Sequence, residues 1–376
     1  MPWSEVSTLG LREEFVMLAG QDGVNVRGLC RRYRISPTTG YKWLGRYAGG
    51  GREALADRSR RPHSSPGQTA TAIEAQVVEL RDRHPAWGAR KLHRRLQDLG
   101  AQALPAISTL NAILARHGRL DGAESAKHKA FTRFEHAAPN DLWQMDFKGH
   151  FALARGRCHP LTVIDDHSRF AVGLRACADE QWTTVQAELS GLFRRFGLPR
   201  RLLADNGAPW GDDADTPHTR LTAWLLRLDV PLSHGRPYHP QTQGKAERFH
   251  RSLLAELVDR ESFTDLVHCQ CRFDAWRHVY NVERPHQAID MAVPLRRYQA
   301  SPRPFPEHLP AVEYDSTDIV RAVDSAGRIS FRGRTIRVGK AFQGYRVALR
   351  PTDKDGCFTV CFRHHPVASL DLNEAT

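Results

Sequence analysis

Three carboxylates stand where secondary structure would bring them together. Asp146 lies inside Trp143-Gln-Met-Asp-Phe147, a run that reads as a strand flanked by residues that belong in a core. Asp205 follows the short apolar run Leu202-Leu-Ala204 and precedes Asn206-Gly207. That puts it at the C-terminal end of a strand, the edge of an open α/β sheet where ligands bind. Glu247 sits early in a helix entered through Tyr238-His-Pro-Gln-Thr-Gln-Gly244. A carboxylate inside a strand is costly to desolvate unless it is paired or metal-bound, and three converging carboxylates repel one another. Divalent cations remove that penalty, and oxygen-only ligation favours Mg²⁺ or Mn²⁺ over zinc. Two such ions held about 3.5–4 Å apart activate a water or a 3′-hydroxyl on one side of a phosphodiester and stabilise the leaving oxygen on the other. No Ser or Tyr nucleophile is then required.

The elements that must carry these residues follow from the periodicity. Residues 142–151, 161–165 and 170–175 read as three short strands with turns between them. A helix over 183–196, a strand over 201–204, and helices over 220–228 and 242–260 come next, and a long helix over 265–280 ends the core. Hairpin-like strands followed by alternating helix and strand make an α/β layout with a mixed sheet. Beyond the Pro-rich stretch 301–310, residues 329–338, 345–349 and 358–362 alternate apolar and polar, which suggests a small β-barrel over 311–376.

The N-terminal part is helical and basic. The chain has 376 residues, 54 Lys and Arg against 42 Asp and Glu, and a net charge of +12. Residues 1–136 alone contribute +9, as expected of a segment that grips a polyanion. In residues 1–56, helices over 11–18 and 26–33 lead through a tight turn to Ser36-Pro37. Ser36 is a good N-cap and Pro37 suits the first helical position, so a third helix runs from there to about residue 47. That helix carries Thr38, Thr39, Tyr41, Lys42 and Arg46, a helix-turn-helix arrangement with these residues as candidate DNA contacts. The alternative is a plain three-helix bundle with a solvated charged face. Residues 57–68, rich in Pro, Ser and Arg, read as a basic linker. Helices over 70–83, 88–99 and 106–117 form a second, similar unit over 69–118, with Arg90, Lys91 and Arg94 as candidate DNA contacts. A linker over 119–136 separates it from the core at 137–300.

At the acidic residues a family resemblance becomes plain. Trp143-Gln-Met-Asp146, Asp205-Asn-Gly207 and His239-Pro-Gln-Thr-Gln-Gly-Lys-Ala-Glu247 resemble the DDE catalytic core shared by retroviral integrases and bacterial insertion-sequence transposases. Tyr280-Asn-Val-Glu-Arg-Pro-His-Gln-Ala288 is similar to a stretch that follows this core, and Trp87-Gly-Ala-Arg-Lys-Leu92 resembles the DNA-binding half of insertion-element transposases. The resemblance implies a ribonuclease H-like fold, with Asp146, Asp205 and Glu247 as catalytic residues and ligands of two Mg²⁺ ions per site, Mn²⁺ substituting. It further implies 3′-end nicking and strand transfer on double-stranded DNA, both element ends and target. One departure is the 41 residues between Asp205 and Glu247, more than is usual in integrase-like cores; the excess fits the acidic segment 211–217.

Around the acids, Lys148, Lys245 and Arg248 read either as phosphate contacts or as solvated charges, and His239 and Gln243 either position DNA or only orient the Glu247 helix. Asp165 and Asp166 read as turn caps with His167-Ser168. Cys269-Gln-Cys271, and Cys357 and Cys361 with His364-His365, invite a zinc reading. The first pair points apart on a helix and the second lacks a finger-like partner, so these cysteines read as thiols. Trp143, Trp182, Trp224 and Trp276 read as core. With no apolar run near 18 residues and no visible signal peptide, the expectation is a cytoplasmic, nucleoid-associated bacterial transposase with no membrane association. Joining two ends implies a homodimer or higher homo-oligomer on DNA. A transposon-derived DNA-binding regulator without catalysis and a stand-alone metal-dependent nuclease are the alternatives.

Overall fold

A computed structural model describes residues 7–59, 68–120, 135–205, 207, 209–211, 218–234 and 244–373. The chain divides into two compact units, residues 1–68 and 69–376.

The first unit holds α1 (Thr8–Ala19), α2 (Val26–Arg32) and α3 (Pro37–Gly50). Ser7, Asn25 and Ser36 each accept a backbone N–H at a helix start; the Ser36 cap is the one expected from the sequence. Phe15, Val16, Cys30, Trp43 and Leu55 form the core. Gly40 lets α3 close on the other helices: a Cβ there would lie 2.4 Å from Cys30 Sγ and 2.9 Å from Phe15 Cζ. Gly40→Ala is therefore expected to lower the stability of this unit by about 1–3 kcal/mol. Gly45→Ala, where nothing lies within 4 Å, is expected to raise it by roughly 0.5–1 kcal/mol. Urea titrations of the two variants should bracket the wild type.

The second unit begins with α4 (Thr71–Arg83), α5 (Ala89–Asp98) and α6 (Ile107–Arg116), packed around Val77, Leu80, Trp87, Leu92, Leu110, Ile113 and Leu114. The central sheet comprises β1 (Trp143–Phe147), β2 (Phe151–Ala152), β3 (Arg157–Asp165), β4 (Ala171–Cys177), β5 (Leu202–Ala204) and β6 (Leu232–His234). Its order is β4-β3-β1-β5-β6, with β2 continuing the edge that β1 pairs with β3. The first three strands are antiparallel, while β1–β5 and β5–β6 are parallel, so the sheet is mixed, in a ribonuclease H-like core. Strand β6, three residues long, gave no signal in the sequence.

Alternation along the strands sorts the two faces. Met145, Leu161, Val163 and Val172 meet α7 (Trp182–Phe196) and α8 (Arg220–Arg227). Ile164, Ala171 and Leu174 meet α9 (Gly244–Leu253) and α10 (Leu266–His278). The single helix expected over 242–260 is α9 continued by a wide π-turn at Leu254–Val258, and a second such turn, Val279–Glu283, ends α10. Residues 221–226 of α8 are all buried, because its other side, Ala223 and Leu226, seats the C-terminal region.

That region forms two small sheets. One has the order β12-β11-β10-β7, from β7 (Ile319–Ala322), β10 (Arg346–Pro351), β11 (Cys357–Phe362) and β12 (His365–Asp371). The other is the hairpin β8 (Arg328–Phe331)–β9 (Arg334–Arg337). The segment 329–338, which reads as one alternating run, is this hairpin: Arg332 and Gly333 both take positive φ and turn the chain. The two sheets share one core, including Ile329, Phe331, Val347, Leu349, Val360 and Phe362.

Candidate active site

The sheet register brings two of the three carboxylates together. Parallel pairing of Trp143 with Leu202 and Gln144 with Leu203, carried along the strands, sets Asp146 across from Asp205. Antiparallel pairing of Asp146 with Thr162 turns its side chain to the face covered by α9. Burial, and then the charge of Asp205, push the Asp146 carboxyl up to about 7, while the nearby Lys148 ammonium pulls it down. Asp205 leaves β5 half-exposed; its Oδ1 accepts the Gly207 N–H at 3.1 Å, and its carbonyl accepts His234 Nδ1–H at 2.6 Å. Glu247 stands exposed on the first turn of α9, where the helix dipole favours a carboxylate. Two carboxylates at neighbouring strand positions and a third on the helix that covers this face are all-oxygen donors of the kind a hard divalent ion prefers.

Two groups of residues that sequence reasoning missed hold this arrangement. His250, one turn after Glu247 and almost wholly buried, lies against Thr162 and Asp146. The Thr162 hydroxyl donates to the Asp146 carbonyl at 2.9 Å, so His250 Nε2–H donates to Thr162 Oγ1 at 2.8 Å. Its Nδ1 then faces Asp146 Oδ2 at 3.8 Å. Burial, and next the Lys148 charge, hold this imidazole down at about 4, so it stays neutral beside Asp146. The second group centres on buried Asp166, which accepts from Gln144 Nε2 at 2.8 Å, from the His136 N–H at 2.9 Å and from Lys245 Nζ. This clamp ties the start of α9 to β1, the strand that carries Asp146. Asp165 caps the turn as expected, accepting the Ser168 N–H at 2.7 Å and the Asn140 N–H at 2.7 Å.

The candidate DNA contacts divide accordingly. Lys245 is turned inward to Asp166, while Arg248 is exposed on α9 and Lys148 is half-exposed beside Asp146. His239 and Gln243, and most of the acidic segment 211–217, lie outside the described residues. On α3, Thr38, Tyr41 and Lys42 are exposed, Thr39 bonds the Ser36 cap, and Arg46 lies over the Trp43 ring at 4.8 Å. On α5, Arg90 is exposed and Arg94 pairs with Asp98 at 3.1 Å. Lys91 is turned toward Arg284 and Glu256 of the core, and burial pushes its ammonium down to about 7. Cys269 Sγ sits 3.7 Å from Cys158 Sγ in the core, and Trp143, Trp224 and Trp276 are buried. Among the described residues no helix is long and apolar enough to cross a membrane.

Residues 136–240 and 228–294 match the integrase core domain, and residues 318–376 match the C-terminal domain of IS481 family transposases. Residues 11–63 match a helix-turn-helix domain, and residues 39–114 a homeodomain-like domain. An uncharacterized 31.7 kDa protein of insertion element IS407 from Burkholderia multivorans is 25% identical over 237 residues, 61% of this chain and 82% of that protein. An uncharacterized 39.2 kDa protein of insertion element IS476 from Xanthomonas euvesicatoria is 26% identical over 242 residues, 61% of this chain and 66% of that protein. Among solved structures, a chain of the simian T-cell lymphotropic virus intasome aligns over 78% of this chain and 98% of its own, with 16% identity and a TM-score of 0.37. One chain thus carries matches to helix-turn-helix domains, an integrase core domain and an IS481-type C-terminal domain, the make-up of a bacterial insertion-sequence transposase with a retroviral-integrase-like core.

Proposed function

We propose that this transposase binds the ends of its element through the N-terminal helices and cuts and joins DNA at Asp146, Asp205 and Glu247. The observation that carries this reading is the Asp146–Asp205 pair: a carboxyl lifted to about 7 by burial and by its neighbour, facing the helix that bears Glu247. Such a pair is costly to ionise without a cation between its members. The three carboxylates would hold Mg²⁺, with Mn²⁺ as a substitute and two ions per site. When bound, the ions activate the attacking water or 3′-hydroxyl and neutralise charge on the leaving oxygen.

The chain's own residues orient the site. Thr162 and His250 fix the Asp146 backbone and side chain, and the Lys245–Asp166 clamp sets the start of α9 and so the position of Glu247. Lys148 and Arg248 would contact phosphates, and His239 and Gln243 would position DNA. On the recognition helices, Thr38, Thr39, Tyr41, Lys42, Arg46, Arg90 and Arg94 would contact element ends; Lys91 would support α5 from behind. The domains would follow the boundaries read above, with the two C-terminal sheets closing as a small barrel that adds DNA or subunit contacts. Joining two ends calls for at least a homodimer, in the cytoplasm.

The test uses a labelled duplex carrying the element end. Wild-type protein with Mg²⁺ or Mn²⁺ is expected to nick the 3′ end and join it to a second duplex, and a chelator is expected to abolish both products without releasing the DNA. Nicking without joining would favour a nuclease. Tight binding without nicking under either metal would overturn the enzyme reading and favour a regulator.

A further inference from the structure

A second cluster of metal-ligating side chains lies at the other end of α8, away from the acidic site. The helix ends in a Schellman-type turn: the Val230 N–H bonds to the Leu225 carbonyl at 3.0 Å, and Asp229 takes a left-handed φ of 57°. Opposite it, the tight turn between β11 and β12 is made by Arg363 and His364, with Arg363 also left-handed at 55°. Two L-residues that are not glycine thus hold a disfavoured backbone side by side. Arginines keep them there. Arg363 donates to the Arg227 carbonyl at 2.8 Å, and Arg303 donates to the Asp229 carbonyl at 2.7 Å, both at the negative end of the helix.

The result is a converging set of ligand atoms. His364 Nε2 lies 2.7 Å and His365 Nε2 3.0 Å from Asp229 Oδ1, and the three groups offer ligand atoms all within 4.8 Å of one another. The two imidazole centroids are 4.0 Å apart. His365 Nε2 is buried with no well-aligned hydrogen bond, although Asp229 Oδ1 lies 3.0 Å away. A ring nitrogen held in that way is placed to offer a lone pair. Asp229 and His364 stay about half exposed, so an ion can enter from solvent and keep an open coordination position. Arg303 Nη2, 3.8 Å from Asp229 Oδ2, faces the carboxylate from outside.

We infer that Asp229, His364 and His365 form a site for a borderline transition-metal ion of the zinc class, which clamps the C-terminal sheets to the end of core helix α8. Two imidazoles and one carboxylate with a fourth position open match the ligand preference of zinc and are unsuited to Mg²⁺. The site is independent of the three catalytic candidates and of the reaction proposed for them.

Co²⁺ reports on it directly. The full chain is titrated with Co²⁺ in excess Mg²⁺, which occupies the acidic site. One equivalent is expected to bind with the ligand-field absorption of a nitrogen–oxygen set and without a thiolate charge-transfer band. Asp229→Gly suits the left-handed backbone and removes only the carboxylate; with His364→Ala, on an exposed ring, it is expected to weaken Co²⁺ or Zn²⁺ binding by about 100-fold or more. Zinc should also slow proteolytic separation of the C-terminal sheets in wild type and not in either variant. A thiolate band, no stoichiometric binding, or binding unchanged in both variants would overturn the assignment.

Discussion

Asp146→Asn is expected to lose DNA nicking and joining by at least about a thousandfold, roughly 4 kcal/mol of barrier, while the metal-free protein becomes more stable. Both effects come from one feature. The carboxyl is four-fifths buried and faces Asp205, which together push it up to about 7. An acid with a folded value above its unfolded one favours the folded state when protonated. Stability from this group is therefore full below about pH 4, is lost as pH rises from there to about 7, and stays lost above. At about 1.4 kcal/mol per pH unit, the penalty near pH 8 is on the order of a few kcal/mol. Asparagine keeps the shape and carries no charge, so metal-free Asp146→Asn should melt above wild type at pH 8 and approach it at pH 5. Mg²⁺ should raise the wild-type melting temperature by binding the folded state and should leave the variant almost unmoved. Glu247→Gln should be equally inactive, but its side chain is exposed on α9 and its stability should match wild type. Retained activity in Asp146→Asn, or equal stabilisation of wild type and variant by Mg²⁺, would remove Asp146 from the metal site.

The parts of this site legible in the sequence are those set by local rules. Ser36-Pro37 announces α3 because cap and first-turn chemistry act within three residues. Asp146 and Asp205 are visible because one acid interrupts the apolar run 143–147 and the other directly follows the short apolar run Leu202–Ala204. What supports them is not local. His250 looks like one more polar residue in Glu-Arg-Phe-His-Arg until the register of β1 on β3 brings Thr162 beneath it. Lys245 reads as a solvated charge until β3 delivers Asp166 to it across 79 positions of sequence. Lys91 shares that fate on α5, facing a core segment nearly two hundred residues away. The C-terminal strands β7 and β12 escaped because their residues are half-exposed and their alternation is weak.

Removing Glu256 is expected to destabilise the second unit by about 3–5 kcal/mol. Glu256 and Arg284 are both 9% exposed and bonded at 2.9 Å. Arg284 also donates to Ser252 Oγ at 2.9 Å and lies over the Tyr280 ring at 5.4 Å, while Trp276 Nε1 donates to the second Glu256 oxygen at 3.2 Å. The stretch Tyr280–Ala288, which resembles one that follows integrase cores, thus acts here as the socket joining the π-turn after α9 to the end of α10. Asn281 adds to it by pairing with the backbone of Ala171 through both its amide groups, at 2.8 and 3.0 Å. In Glu256→Ala, Arg284 stays buried and Lys91 half-buried without this counter-charge, and the melting temperature should fall by about 6–10 °C. Lys91 gives the control. Its ammonium is held down to about 7 by burial and then by Arg284, so the folded state disfavours its charge and this group's contribution to stability falls as pH drops below its unfolded range. Lys91→Met should therefore be neutral or stabilising at pH 7, and Glu256→Ala should cost less in that background than alone, a coupling that a double-mutant cycle reads directly. Additive effects would show that Glu256 serves Arg284 only; a neutral Glu256→Ala would show that the pair does not hold the core.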